Sequence, residues 1–303
     1  MRVRKVSCRL FGPAGVFMLM SFHNWQTMGQ DAFDQSRIEA KAPAPAIVWG
    51  SPPPPGNWRL IWSGEFDGGS IDTNHWKFET GNHNGWGNNE LESYTNSPEN
   101  AFVSNGVLHL VARPKAAGAR FYTSARLKSQ GRFFKKYGRF EFRAKMPQGK
   151  GYWPALWMMP EVSTYGGWPN SGEIDIMENR GSNAAVVQGT IHYAGPNGGH
   201  RESTGRYTFS PNDGATNFHT YLLEWTSNSI SWYVDNKLYE MQTNWTARNA
   251  TYPAPFDQPF YIVMNLAVGG NYGGNPDADT VFPGEMQVDY VRVYENSTIN
   301  SSP

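Results

Sequence analysis

Three carboxylates lie within an otherwise apolar, β-prone segment, Gly172-Glu173-Ile174-Asp175-Ile176-Met177-Glu178. Alternate residues of a strand face opposite sides, so Glu173 and Asp175 share one face and the isoleucines the other. Simple alternation would place Glu178 among apolar side chains, where an unpaired carboxylate is costly. A β-bulge near Met177 would return Glu178 to the face of the other acids. We therefore predict a bulged strand with three carboxylates on one face.

Close carboxyl groups in different protonation states can cleave a glycosidic bond with retention of configuration. One carboxylate attacks the anomeric carbon, and a second, still protonated near neutral pH, donates to the leaving oxygen; such groups lie about 5–5.5 Å apart. Mutual repulsion and partial burial would raise the proton affinity of one of them. Asp175, between the two glutamates, could hydrogen-bond to the nucleophile.

Two other interpretations of the acidic segment compete with catalysis. Calcium ligands usually come from loops rich in Gly, Asn and Asp, whereas Ile174 and Ile176 favour a strand. A charged edge strand would simply be solvated. The neighbouring aromatic segments favour sugar chemistry, because flat side chains stack on the apolar faces of sugar rings. These segments are residues 85–91, residues 152–159, Trp168 and residues 189–193.

The composition restricts the class of protein. With 303 residues, of which 39% are hydrophobic, the chain can bury one large core. It contains 12 Trp, 15 Tyr, 17 Phe and 32 Gly with few helical patterns, which favours an all-β protein with many turns. A formal net charge of zero argues against nucleic acid as a partner. Cys8 is the only cysteine, so no internal disulfide can form.

The two ends of the chain differ from its middle. Residues 1–29 resemble a secretory signal peptide, with a basic start and a short apolar stretch but no clean cleavage site. That stretch is too short to span a membrane, and no later segment could span one. Residues 30–56 are predicted to be a Pro-rich linker, residues 57–295 the catalytic domain and residues 296–303 a tail. We therefore expect a secreted protein.

Strand signals follow one another through the predicted domain. In residues 139–146, apolar residues alternate with charged ones from Arg139 to Lys145, which predicts a strand with one solvent-exposed face. Asp235-Asn236 predicts a turn between two strands. Short connections favour antiparallel pairing, so we expect a sandwich of two sheets. The predicted strands are residues 107–112, 139–146, 221–225, 230–234, 237–241, 261–268 and 286–294.

The acidic segment resembles the catalytic signature of glycoside hydrolase family 16, in the bulged form of laminarinases. Further segments in the same order extend the resemblance over residues 57–295. They are residues 86–91, 124–127, 137–141, 153–158, 192–193 and 265–270. The resemblance implies an all-β jelly-roll sandwich of two antiparallel sheets with a curved substrate cleft. It also implies retaining cleavage of β-glucans or galactans without a catalytic cofactor.

The resemblance implies roles for individual residues. Glu173 is the expected nucleophile, Glu178 the acid/base and Asp175 the assisting carboxylate. From the sequence alone, Arg126 could instead form a surface ion pair, and His192 could pack against a core ring. The residues expected to bind the sugar are Asn88, Arg126, Trp153, Trp157, Trp168, His192 and Asn265.

Members of the family often bind a structural calcium ion far from the cleft. Glu65, the Gly106 carbonyl and Asp289 occupy the matching segments, so the resemblance implies a calcium site there. The chain departs from the laminarinase pattern after Gly270, where the usual Trp is replaced by Asn271-Tyr272. A Tyr ring can still stack on sugar, so this change bears on the strength of one subsite and on linkage preference.

The function expected from the sequence is a secreted, monomeric endo-β-1,3-glucanase that acts on laminarin-type β-glucans. The alternatives are a mixed-linkage β-1,3-1,4-glucanase, a galactan hydrolase such as an agarase, and a non-catalytic glucan-binding protein. The bulge argues against the unbulged lichenase type, and the neutral Asn- and Trp-rich segments do not predict extra basic subsites. The presence of both glutamates argues against binding alone.

Overall fold

The computed structural model describes residues 57–118, 120–248 and 250–297. Within these ranges the regular structure is strand, apart from one short helix, α1 (Gly270–Gly273). The strands are β1 (Trp58–Gly64), β2 (Lys77–Glu79), β3 (Glu92–Tyr94), β4 (Ala101–Ser104), β5 (Val107–Ala117), β6 (Arg120–Ser124), β7 (Arg126–Lys128), β8 (Gly138–Lys145), β9 (Tyr152–Pro160), β10 (Glu173–Asn179), β11 (Val186–Ala194), β12 (His200–Thr208), β13 (His219–Trp225), β14 (Ile230–Val234), β15 (Lys237–Gln242), β16 (Phe260–Val268) and β17 (Gly284–Asn296).

The strands form two sheets, which confirms the predicted all-β sandwich. The larger sheet has the order β15-β14-β13-β8-β17-β5-β6-β3, with β1 also paired to β17 and β4 to β5. The smaller sheet has the order β12-β11-β10-β9-β16-β7-β2. The pairing of β3 with β6 is parallel, an exception to the antiparallel arrangement expected from the short connections.

The hydrophobic core includes buried side chains from both sheets. β16, an inner strand of the smaller sheet, is buried along its whole length. Its residues Ile262 and Met264 belong to the same apolar cluster as Phe140 and Phe142 of β8 in the larger sheet. Burying one such side chain contributes about 1.5–3 kcal/mol. This apolar layer therefore holds the central strands of the smaller sheet, including β9 and β10, in fixed positions.

The predicted hairpin between β14 and β15 is confirmed. Asp235 and Asn236 have φ angles of 49° and 62°, and Val234 pairs with Lys237 across the turn. Two successive residues in the left-handed region are typical of a type I′ turn, whose twist suits an antiparallel hairpin. Asn and Asp tolerate this conformation better than most residues.

The prediction of a solvent-exposed face on β8 is wrong for the first half of the strand. Arg139 and Glu141 are buried, with 5% and 9% of their surfaces exposed. Arg139 donates hydrogen bonds to Glu141 at 2.9 Å and to Glu224 at 3.0 Å, and Tyr290 donates to Glu141 at 2.8 Å. β8 lies between β13 and β17, so long side chains from both neighbours cover its outer face.

The described residues begin and end near the predicted domain limits. β1 begins at Trp58 and β17 ends at Asn296, and the Ser297 amide donates to the Asn57 carbonyl at 2.6 Å. The predicted signal peptide, the linker and residues 298–303 of the tail lie outside the described residues, so these segment assignments stay predictions. Among the described residues, no helix has the length and apolar character needed to cross a membrane.

Candidate active site

β10 carries the three carboxylates and contains the predicted β-bulge. Against β11, Asp175 pairs with Thr190 and Glu178 pairs with Gln188, so three steps along β10 match two along β11. Both residues inside the bulge are buried, and Glu178 lines the same cleft as the other two acids. The extra residue therefore turns Glu178 out of the core, as the cost of burying an unpaired carboxylate predicts.

An indole from the larger sheet holds the backbone of the bulge. Trp232 on β14 is fully buried and donates from Nε1 to the main-chain carbonyl of Asp175 at 2.8 Å. Gly189 on β11 leaves room for this ring, because a Cβ there would lie 2.3 Å from Cδ1 of Trp232. Buried carbonyl groups need hydrogen-bond partners, and Trp232 supplies one where the strand pairing is irregular.

Glu178 receives hydrogen bonds on both carboxylate oxygens. Trp153 donates from Nε1 to Oε1 at 2.9 Å, and Gln188 donates from Nε2 to Oε2 at 3.2 Å. Both donors come from the strands that flank β10. They orient the carboxyl group and stabilise its ionised form.

Glu173 stands at the start of β10, beside the loop that precedes it. Trp168, from that loop, donates from Nε1 to Oε2 of Glu173 at 2.5 Å. The Trp168 ring is 52% exposed and lines the cleft together with Glu173. Trp168 can therefore both orient this carboxylate and offer an apolar face to a ligand.

Asp175 is paired with His192, which faces it from β11. His192 Nε2 lies 3.0 Å from Asp175 Oδ2, and His192 Nδ1 lies 2.8 Å from Nε2 of His200 on β12. The first contact places His192 beside the carboxylates, as the resemblance implies, rather than against a core ring. Asp175 is 3% exposed, so the pair lies at the floor of the cleft.

The three carboxylates and the imidazole of His192 shift one another's pKa values. Burial and the charge of Asp175 raise the pKa of Glu173, and burial and the charge of Glu178 raise the pKa of Asp175. Burial also raises the pKa of Glu178, against the hydrogen bonds from its two donors. Burial opposes a charge on His192, but the hydrogen bond and charge of Asp175 outweigh it and raise the pKa to about 10. The site therefore favours a proton among the acids and a charged imidazole beside them.

A cation lies between two indole rings on one wall of the cleft. The guanidinium carbon of Arg126 is 4.3 Å from the centre of the Trp86 ring and 4.7 Å from that of Trp157. Arg126 also donates from Nε to Glu79 at 2.5 Å. The ion pair considered from the sequence is thus present, but it is largely buried and lies in the cleft wall. Cation–π contacts with both rings hold the Arg126 guanidinium between Trp86 and Trp157.

A chain of hydrogen bonds runs beneath this wall. Trp157 donates to Asn265 Oδ1 at 2.7 Å, and Asn265 donates to the Tyr94 hydroxyl at 3.0 Å. Tyr94 in turn donates to Glu90 at 3.0 Å, and Asn88 donates to the same carboxylate at 3.1 Å. The carbonyl oxygen of Asn265 is therefore engaged by Trp157, and its clearest role is to position that ring.

Tyr272 occupies the position where the sequence departs from the laminarinase pattern. Its ring centre lies 5.3 Å from that of Trp153, and the Arg180 guanidinium carbon lies 4.2 Å from the Tyr272 ring centre. All three residues line the cleft. Tyr272 therefore contributes an aromatic surface beside the ring that binds Glu178.

The cleft has a volume of about 710 Å³ and brings together all ten residues singled out for catalysis and sugar binding. Their assigned roles stay predictions. Sequence reasoning missed Trp232, Gln188 and Tyr94, which hold the site without belonging to its motif. Gln188 lies four residues before His192, so strand alternation places both side chains on the same face of β11. That spacing was a signal in the sequence that could have identified Gln188. Neither of the other two has a local signal, since each reaches the site from a strand distant in sequence.

The three residues predicted to bind calcium lie outside this cleft. Glu65 forms a two-point ion pair with Arg292, with both distances at 2.9 Å, and Asp289 pairs with Arg143. Gly106 has a φ of 70° in the turn before β5. Both carboxylates face guanidinium groups, which a cation would have to displace. These contacts do not favour calcium, and the calcium site stays a prediction.

The fold and the acidic bulge define a glycoside hydrolase of the jelly-roll type. The sequence profile of glycosyl hydrolases family 16 matches residues 88–292. The chain belongs to this family, as the resemblance indicated. Its sequence is 46% identical over 250 residues to a beta-glucanase of Rhodothermus marinus, an alignment that covers 78% of this chain and 85% of the relative.

Two further comparisons support this assignment. The chain is 40% identical over 318 aligned positions to glucan endo-1,3-beta-glucosidase A1 of Niallia circulans, covering 96% of this chain but only 46% of that relative. The chain thus spans about half of that longer protein. The X-ray structure of the laminarinase from Rhodothermus marinus superposes with a TM-score of 0.71 and 46% identity, covering 78% of this chain and 97% of the other.

Proposed function

We propose that the chain is a retaining endo-β-1,3-glucanase that hydrolyses internal bonds of laminarin-type β-glucans. The observation that carries this proposal is the bulged strand with Glu173, Asp175 and Glu178 on one face of an indole-lined cleft. The activities for which the Niallia and Rhodothermus relatives are named agree with it. Aromatic side chains that line the cleft neighbour both ends of this row of acids, Trp168 at Glu173 and Trp153 with Tyr272 at Glu178. Sugar contacts on both sides of the acids would suit an internal segment of a polysaccharide.

The proposed mechanism has two displacements. Ionised Glu173 attacks the anomeric carbon, while Glu178 gives its proton to the leaving oxygen, so that a glycosyl ester forms on Glu173. Glu178 then takes a proton from water, which attacks the same carbon and releases Glu173. Trp153 and Gln188 stabilise Glu178 in its ionised intermediate state. Asp175, held by His192, keeps negative charge next to the developing positive charge on the sugar.

Chromatography of the products from laminarin tests this function. Early appearance of a ladder of short β-1,3 oligomers is the expected result for internal cleavage. Glu173→Ala should abolish turnover while leaving binding to laminarin in an affinity gel measurable. Equal turnover by this variant would overturn the assignment of the nucleophile.

The alternatives differ in the substrate that is cleaved. Faster cleavage of a mixed-linkage β-1,3-1,4-glucan than of laminarin would favour the mixed-linkage enzyme, and cleavage of agarose alone would favour a galactan hydrolase. Binding without any turnover would favour a glucan-binding protein. Because both glutamates are present with hydrogen-bond donors aimed at them, we propose catalysis.

Three features of the whole protein are part of the proposal. We expect export, which cell fractionation of the expressed full-length chain would test. We expect a monomer, which light scattering would test. For calcium at Glu65, the Gly106 carbonyl and Asp289, a rise in melting temperature with added calcium that Glu65→Gln removes would support the site. No rise in the parent protein would exclude it.

A further inference from the structure

Two histidines and a glutamate converge at one end of the cleft. His192 on β11 pairs directly with Glu202 on β12, and His200 lies two residues before Glu202 on the same face. His192 Nδ1 is 2.8 Å from His200 Nε2 and 3.7 Å from Glu202 Oε2. Within the described residues, the three side chains can place one ligand atom each within 4.8 Å of the others. Strand register alone therefore assembles three potential metal ligands.

Neighbouring side chains fix the orientation of the two imidazole rings. Asp175 contacts Nε2 of His192 at 3.0 Å, which leaves Nδ1 directed at His200. A carboxylate on the second nitrogen of a metal-binding imidazole is a common outer contact, because it fixes the ring and increases its basicity. The Trp168 ring lies 4.8 Å from the His200 ring. Since His200 and Glu202 are exposed, an ion can enter from solvent.

We propose that His192, His200 and Glu202 form a binding site for a divalent transition-metal ion of the zinc class. Two imidazoles and one carboxylate are a donor set that zinc uses, with water in the fourth position. On binding, the ion would displace the proton from Nδ1 of His192 to solvent, while the Nε2–H stays hydrogen-bonded to Asp175. Calcium and magnesium prefer oxygen ligands alone, so this site is chemically distinct from a calcium site. With metal–nitrogen bonds of about 2.0–2.1 Å, the two ring nitrogens would separate to roughly 3.3 Å.

An ion at this site would obstruct the reaction. His192 contacts Asp175, and all three ligands line the cleft with Glu173. A bound ion would occupy space needed by the sugar and place positive charge next to the acids. We therefore expect zinc to be a reversible inhibitor that competes with glucan. This second part rests on the proposed function, whereas metal binding itself does not.

Calorimetric titration with zinc chloride tests the binding. All proteins would carry Cys8→Ser, so that the only thiol of the chain does not compete for the ion. We expect one ion bound per chain, with affinity at least tenfold lower in His200→Ala and in Glu202→Gln. His75→Ala is the matched control, because His75 lies beside Asp72 and is not among the residues that line the cleft. This variant should bind zinc as the parent does. Absence of binding by the parent, or equal affinity in all variants, would overturn the site.

A second measurement separates this inference from the proposed function. Zinc should inhibit laminarin hydrolysis by the parent protein, a chelator should restore the rate, and the concentration for half inhibition should rise at least tenfold in Glu202→Gln. Laminarin hydrolysis without zinc binding would reject the metal site and leave the glucanase intact. Zinc binding without any laminarin hydrolysis would support the metal site and reject the glucanase. Zinc bound without inhibition would reject only the obstruction of the cleft.

Discussion

The indole N–H of Trp232 donates to the main-chain carbonyl of Asp175 at 2.8 Å. This bond joins the larger sheet to the smaller one at the irregular step that turns Glu178 into the cleft. It makes the position of the three carboxylates on β10 depend on a residue that does not line the cleft. The matching space is provided by Gly189 on the neighbouring strand.

Removing the Trp232 donor should reduce both stability and turnover. Trp232→Phe keeps an aromatic ring but leaves the buried Asp175 carbonyl without this partner, which costs about 1–3 kcal/mol in the free energy of unfolding. We expect kcat to fall about tenfold or more, since small misplacements of catalytic groups are costly. Urea unfolding and laminarin kinetics measure the two effects.

Trp225→Phe is the matched control for this change. Trp225 is also buried, but its indole donates to the Phe256 carbonyl at 3.1 Å, and Phe256 does not belong to β10, the strand that carries the three carboxylates. This variant should lose similar stability while kcat stays near that of the parent. Equal kcat in both variants would show that Trp232 does not position the carboxylates.

The space at Gly189 should be intolerant of a methyl group. A Cβ there would lie 2.3 Å from Trp232, so Gly189→Ala forces the ring or the strand to move. Overpacking of this kind typically costs about 1–3 kcal/mol in the free energy of unfolding. Gly69→Ala, where a Cβ meets nothing within 4 Å, is the control. Similar urea midpoints for the two variants would contradict the close packing of Trp232 on β11.

Loss of the Tyr94 hydroxyl should loosen the Trp157 wall. Tyr94→Phe removes one hydrogen-bond partner from each of the buried side chains Asn265 and Glu90, at a cost of about 1–3 kcal/mol in stability. Because the network ends on Trp157, we expect a KM increase of severalfold with a smaller change in kcat.

Tyr221→Phe tests whether this effect is specific to the network. The Tyr221 hydroxyl is buried, and within the described residues it has no hydrogen-bond partner. Removing it should leave stability unchanged or slightly increased, and KM unchanged. A comparable KM increase in both variants would remove the hydrogen-bond chain as the explanation.

The donors to Glu178 should set the alkaline limb of the pH profile. Each donor stabilises the ionised carboxylate and so lowers the pKa of Glu178, against the rise caused by burial. Trp153→Phe and Gln188→Leu should therefore raise this pKa further, so that Glu178 stays protonated to higher pH. The alkaline limb of kcat/KM should move upwards in both variants.

The control for the pH profile is Trp86→Phe. The Trp86 indole donates to the Gly81 carbonyl at 3.3 Å, not to a carboxylate, so its loss should leave the alkaline limb in place. An alkaline limb that moves to lower pH in Trp153→Phe would contradict the acid/base role of Glu178. An equal shift of this limb in Trp153→Phe, Gln188→Leu and Trp86→Phe would contradict it as well.

The sequence by itself indicated eight of the strands (β5, β8, β10 and β13 to β17), the β14–β15 turn and the bulge. These depend on local rules: side chains alternate along a strand, Asp235-Asn236 tolerates left-handed angles, and an unpaired carboxylate is costly in a core. The motif also brought the acids and the expected sugar-binding residues to one cleft. The strands, the turn and the bulge needed only a few neighbouring residues each, whereas the set of sugar-binding residues rests on a resemblance that spans residues 57–295.

Only the tertiary structure decided what covers each face. Alternation marks Arg139 and Glu141 as one face of β8, but β13 and β17 bury that face. Likewise, the sequence allows Arg126 to form a surface ion pair, whereas the structure places its guanidinium between the Trp86 and Trp157 rings. The bond from Trp232 to Asp175 joins residues 57 positions apart. Such contacts depend on which distant strands become neighbours, and that is set by packing of the whole core rather than by any local pattern.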